Sequence, residues 1–195
     1  MKYHRRSFIV SAISFGLAHA AHVAQAAAVR YRLDKNKSRV RFQFKFNGAT
    51  GAGFIPIEDA NISLDLKQVH RSSVDVTLSI KKARAGDVFA TTAMKSAEVL
   101  NADQYPTARF VSRKIKQDGQ RVEILGDLTL RGVTRSVRVD ARIIREPDAP
   151  KDNSRLVLEI TGAVNRSTFG ATGYSNLVGD QIDLKFYVWI NRAAG

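Results

Sequence analysis

The sequence predicts an all-β domain, an antiparallel barrel or sandwich with one short helix mid-chain. Three observations carry that reading. Apolar residues recur at every second position in segment after segment, turn-forming clusters separate the segments, and one stretch breaks the rhythm with three- and four-residue spacings.

Taken in order, Arg30 to Leu33 opens the domain as a less regular strand. Val40, Phe42, Phe44 and Phe46 then alternate with Arg39, Arg41, Gln43 and Lys45, which is a strand with one buried and one wet face. Ile62, Leu64 and Leu66 alternate with Ser63 and Asp65, and Val74, Val76, Leu78 and Ile80 with Asp75, Thr77 and Ser79. From Gly86 to Ala102 the residues Val88, Phe89, Thr92, Ala93, Ser96, Val99 and Leu100 group at helical spacing, and this helix must end before Tyr105-Pro106. Strands over Thr107 to Ile115 and Arg121 to Leu130 follow. Next come Val137, Val139, Ala141 and Ile143, then Leu156, Leu158 and Ile160, and last the run Ile182, Leu184, Phe186, Val188 and Ile190. Asn47-Gly48, Asp118-Gly119, Arg131-Gly132, Pro147 to Asn153 and Val178-Gly179-Asp180 supply the turns. With no linker and no internal repeat, residues 27–195 read as one domain.

At 195 residues and 44% apolar composition, the chain has enough material for one core without covalent staples. It has no Cys, which removes disulfides, thiolate metal sites, a thiol nucleophile and a lipoprotein cysteine together. Residues 1–26 read as a cleavable export signal: a basic start from Lys2 to Arg6, an apolar stretch from Ser7 to Ala18, and the small-x-small site Ala24-Gln25-Ala26. Ser11, Ser14, Gly16 and His19 break that stretch short of the roughly 20 apolar residues a bilayer requires. Arg5-Arg6-Ser7-Phe8-Ile9 is similar to a twin-arginine core, although His4 and Val10 depart from it, and both export routes stay open. Removing the segment leaves 28 bases against 18 acids and His70 as the remaining histidine, which points to a periplasmic location and away from Cys/His metal sites and histidine triads.

Several segments resemble the YceI-like family of exported lipocalin-like proteins. They are Tyr31-Arg32-Leu33-Asp34 with Ser38 to Phe42, Gly51-Ala52-Gly53-Phe54, Tyr105-Pro106-Thr107-Ala108-Arg109-Phe110, Gly126 to Thr134, and Asn165-Arg166-Ser167-Thr168-Phe169-Gly170. The resemblance implies an eight-stranded antiparallel lipocalin-like barrel holding a polyisoprenoid, an isoprenoid quinone or a fatty-acid derivative, with no catalytic residues to carry over. Lys37 and Val99-Leu100 depart from the family pattern, at a His and at an aromatic pair, which implies a reshaped pocket.

An eight-stranded barrel is either filled by its own side chains or just wide enough for one small ligand. The inward-facing set expected to meet an apolar guest is Phe42, Phe44, Phe46, Phe54, Leu64, Leu78, Phe110, Val139, Leu158, Phe169, Leu184 and Phe186. For each of these singly, simple core packing is the competing explanation, and for Arg166 and Phe169 it is the bracing of a turn. The leading function is therefore a non-catalytic periplasmic binder or carrier of a long-chain apolar ligand, needing no metal or cofactor. The alternative is a protein-interaction module serving a membrane redox or stress-response system. An enzyme would need convergent polar groups, and Asp87 with Thr91, Asp103 with Tyr105, and Glu98 with His70 are the candidates. The basic residues lack the interleaved aromatics that nucleic-acid stacking needs, so the excess charge points instead to peripheral contact with anionic membrane through Arg39, Arg41, Lys45, Arg138 and Arg142. A dimer is compatible with the pattern.

The export reading has a direct test. Changing Arg5 and Arg6 to Lys should block transport by the twin-arginine route, because general secretion needs only positive charge at that end. Normal export of the double-Lys chain, followed by fractionation and immunoblotting, would assign the signal to general secretion.

Overall fold

The computed structural model describes residues 28–194, so the expected export signal lies outside the described residues. Eleven strands form one antiparallel sheet: β1 (Val29–Leu33), β2 (Val40–Phe46), β3 (Ala49–Ile55), β4 (Ile57–Leu64), β5 (Ser73–Ser79), β6 (Arg84–Ala85), β7 (Thr107–Asp118), β8 (Arg121–Leu130), β9 (Val133–Ile144), β10 (Arg155–Asn165) and β11 (Gln181–Arg192). Pairing of β1 with β11 closes β1-β4-β5-β7-β8-β9-β10-β11 into an eight-stranded barrel. The remaining strands, β2-β3-β6, extend from β11 as an arm.

Local chemistry sets the connections. Asn47 and Gly48, at φ 47° and 79°, form the two-residue turn between β2 and β3, and Arg131 and Gly132, at 52° and 72°, do the same between β8 and β9. The first of these is the favoured Asn-Gly pair. At the second, Tyr105 explains the glycine, since a Cβ on Gly132 would lie 2.7 Å from its ring. Between β1 and β2 the chain bends around Asp34, whose carboxylate accepts from the amides of Asn36 and Lys37. The buried Ser38 hydroxyl then accepts from the Trp189 amide at 3.0 Å, filling the step in the ladder where β11 changes partner.

One helix, α1 (Val88–Lys95), is present, with 3₁₀ turns at Val69–Arg71 and Arg166–Phe169. It is shorter than the expected stretch from Gly86 to Ala102. Asp87 caps it by accepting from the Ala90 amide at 2.9 Å, and Ser96 ends it in an extended conformation. Val88 and Phe89 do not join a buried face as their spacing suggested: they are 76% and 86% exposed, and the inward side is Ala90, Ala93 and Met94.

Packed clusters line the walls. Ile115, Ile124, Val137, Val139, Ala141 and Phe169 fill one side, and Tyr31, Ile62, Leu156, Val188 and Ile190 seal the β1–β11 seam. Outside, ion pairs tie strands together: Arg109 to Asp75, Arg113 to Asp127, Arg138 to Glu123 and Arg142 to Glu159. The five bases expected to meet membrane do not form one patch. Arg138 and Arg142 on β9 are paired with carboxylates, and two strands separate them from Arg39, Arg41 and Lys45.

Acid should weaken the barrel through one outer row. Glu159 lies directly across from Arg142 on one side and Tyr187 on the other, and Arg142 Nε donates to it at 2.8 Å. The Arg142 hydrogen bond, then that of Tyr187, holds the carboxyl below its ordinary value of 4.5. The folded state thus takes up this proton less readily than the unfolded chain, so the stabilisation is complete above the ordinary value and is lost as pH falls through the lower one. Glu159→Gln should flatten the decline of melting temperature below about pH 4.5. Melts across that range check it, and profiles of wild type and variant that run parallel would show that the row carries no acid sensitivity.

Candidate functional site

The barrel and its arm enclose a cavity of about 770 Å³. Parity explains its lining, because alternate residues of every wall strand point inward. Of the expected inward set, Phe42, Phe44, Phe46, Leu64, Leu78, Phe110, Val139, Leu158, Leu184 and Phe186 border it. Two do not. Phe54 stands opposite Arg41 on β2 and Arg84 on β6, on the outer face, because the inward positions of β3 are Gly51, Gly53 and Ile55. Phe169, 1% exposed, is packed in the wall cluster rather than at the cavity surface.

The glycines decide how much room remains. Phe42 and Phe44 lie directly across from Gly53 and Gly51, and a Cβ on those glycines would fall 2.3 Å and 2.5 Å from the rings. Gly126 receives the Phe110 ring in the same way, at 2.4 Å. Three phenyl rings are therefore folded flat against the backbone of the neighbouring strand instead of standing into the lumen.

Polar side chains at the cavity wall are few, and most are already engaged. Thr50 Oγ1 accepts from Lys45, Asp65 accepts from the amides of Lys67 and Gln68, Ser72 Oγ accepts from the Asp65 amide, and Asp87 caps α1. The Gln68 amide, ahead of the other contributions, keeps Asp65 below the usual carboxylate range, so it stays ionised and bound to its own turn. Arg166 is buried and donates to four carbonyls: Nε to Gly179, Nη1 to Ala171 and Gly173, and Nη2 to Val178, at 2.6–3.1 Å. It braces the Gly-rich loop, as bracing was the competing explanation for it. A guest thus meets a wall with little to offer except apolar contact.

The cavity meets solvent beside three segments: the β2–β3 turn, α1, and residues 171–178. Phe46, Phe89, Tyr174 and Leu177 both border the cavity and are exposed there, and Leu66, beyond the far end of β4, is the further exposed large apolar residue on the cavity wall. The Asn47 amide donates to Leu177 O and the Gly173 amide to Glu98 O, which joins the segments around the opening. Phe89, Ala90, Ala93, Met94, Leu100 and Leu177 were missed by strand alternation because they come from the helix and loops. The apolar content of the 88–100 stretch was the available signal.

The first of the candidate polar pairs is otherwise occupied, and the others are placed apart from the lumen's apolar wall or from each other. Asp87 and Thr91 both serve the helix start, Thr91 Oγ1 exchanging hydrogen bonds with the Ala85 backbone. Tyr105 stacks on Gly132, and Asp103 is exposed in the preceding turn. Glu98 is beside the opening, whereas His70 sits in the 3₁₀ turn beyond the far end of β4.

Comparison with known proteins follows the same lines. The YceI-like domain matches residues 31–189. A UPF0312 protein of Pectobacterium atrosepticum is 30% identical over 155 residues, covering 78% of this chain and 81% of that protein. Protein YceI of Escherichia coli O157:H7 is 29% identical over 162 residues, covering 82% and 85%. Among solved structures, Burkholderia cenocepacia BcnA superposes with a TM-score of 0.69 at 21% identity, covering 81% of this chain and 99% of that one. A polyisoprenoid binding domain from Saccharophagus degradans gives 0.58 at 10% identity, covering 85% and 99%. These two show a shared fold, and with the domain match spanning nearly all of the described residues, the chain belongs to the YceI-like family.

Proposed function

We propose that this protein is an exported, non-catalytic binder or carrier of a long-chain apolar molecule, of the polyisoprenoid, isoprenoid quinone or fatty-acyl class, held inside the barrel. The observation that carries the reading is the cavity of about 770 Å³ whose polar wall groups are largely engaged by the protein's own backbone and side chains. Such a space rewards a guest by its buried apolar area, at about 0.8 kcal/mol per methylene. A water-soluble substrate would lose its hydration there without gaining partners. Further support comes from the polyisoprenoid binding domain of Saccharophagus degradans, which has the same fold. The signal-like residues 1–26 support the reading of export to the periplasm.

Organic extraction of the protein purified from its native envelope, followed by mass spectrometry, should return a long-chain apolar molecule at near-stoichiometric amounts. Leu184→Trp and Gly51→Ala probe the same volume from two sides. The first adds bulk at the wall, and the second sets a methyl group against the Phe44 ring and forces it into the lumen. Each should cut affinity for the recovered guest by on the order of tenfold, equivalent to about two excluded methylenes. An empty extract, or folded variants that load fully, would overturn the reading.

A further inference from the structure

We propose that the cavity opening docks on an anionic bilayer surface, inserting Val88 and Phe89 of α1 while the basic arm beside them meets lipid headgroups. The inference rests on the reading that a lipid-like guest occupies the cavity, and it names the surface where that guest is exchanged.

Two large apolar side chains project together from the first turn of the helix, Val88 at 76% and Phe89 at 86% exposure, the highest among the exposed large hydrophobics. Asp87 fixes that turn through the Ala90 amide, so the pair is presented on a capped, ordered element. Phe46, Tyr174 and Leu177 continue the apolar rim and also border the cavity. A patch of this kind is a liability in water unless something covers it.

Charge identifies what covers it. The stretches that build this end, residues 39–54, 81–98 and 171–178, hold Arg39, Arg41, Lys45, Lys81, Lys82, Arg84 and Lys95 against two carboxylates, Asp87 and Glu98. None of these seven is in an ion pair among the described residues, whereas five arginines elsewhere on the barrel are paired with Asp or Glu. Around the opening the bases outnumber the acids, and the excess has no carboxylate to pair with. Exposed apolar residues beside unpaired Lys and Arg are the combination that binds an interface by shallow insertion and headgroup attraction. Continuity of the rim with the cavity favours a bilayer over an acidic protein, because a long apolar guest can then pass from acyl chains to lumen without crossing water.

The test uses protein purified from its native envelope and vesicles of phosphatidylcholine with or without phosphatidylglycerol, read by co-sedimentation. Binding should require phosphatidylglycerol and fade near about 1 M salt, where the screening length is about 3 Å. A Val88→Ser, Phe89→Ser double variant and a Lys81→Glu, Lys82→Glu double variant should each bind about tenfold or more weakly. Both should keep the wild-type melting temperature, and the Lys81→Glu, Lys82→Glu variant, whose residues lie off the cavity wall, should also keep the extracted guest. Equal binding to both vesicle types, or full binding by either variant, overturns the proposal. So does a concentration-dependent dimer abolished by the serine variant, which would assign the patch to a second copy of the chain. Extraction separates the two readings: guest present without vesicle binding removes the docking surface alone, and vesicle binding by a protein that yields no guest removes the carrier function alone.

Discussion

Closure of the sheet is the constraint on which the molecule depends. β11 pairs with β10 along one edge for its whole length, and on its other edge it serves two strands in turn, β1 at Ile190 to Arg192 and β2 at Asp183 and Leu184. The first pairing shuts the barrel and removes the unsatisfied strand edge that an open sheet would expose. The second swings β2, β3 and β6 outward as an arm, and α1 follows β6. The change of partner occurs where Ser38, buried at 1% exposure, substitutes a hydroxyl for a backbone acceptor opposite Trp189. A closed wall with a splayed end is what gives the interior both enclosure and access.

Closure alone does not leave a cavity, since side chains can fill an eight-stranded interior. Here the filling is prevented by pairing large with absent: phenyl rings lie over Gly51, Gly53 and Gly126, so apolar bulk coats the wall rather than occupying the centre. Polar side chains are handled by a parallel economy of hydrogen bonds. Asp65, Ser72, Asp87 and Arg166 reach the cavity surface but are tied into turns, the helix start and the Gly-rich loop. Arg166 satisfies four carbonyls that would otherwise be stranded in the 171–179 loop, which shapes the rim of the opening. The structural ion pairs remain on the outer face, where they stitch neighbouring strands at modest individual energy.

The sequence by itself determined most of the strands, most of their buried faces and the antiparallel class, because period-two alternation is a local property and a solvent-facing wall makes it visible; it did not show β3, whose glycines break the alternation, or the two-residue β6, and Leu66 lies exposed beyond the end of β4. It marked most of the cavity lining for the same reason, from Phe42 and Phe44 to Leu184 and Phe186. It misplaced Phe54 because Gly51 and Gly53 hide the inward parity of β3, and it enlisted Phe169 without a way to tell a wall residue from a lumen residue. The helix start at Asp87 was legible as chemistry, but its early end and the exposure of Val88 and Phe89 were not, since spacing cannot say whether a face has anything to pack on. Only the tertiary structure decided that the barrel closes, that β11 divides its edge between two strands, that a cavity survives, and that Arg138 and Arg142 are neutralised while the arm's cations stay unpaired. Each depends on which distant residues meet across the sheet, and register between strands far apart in the chain is set by the fold as a whole.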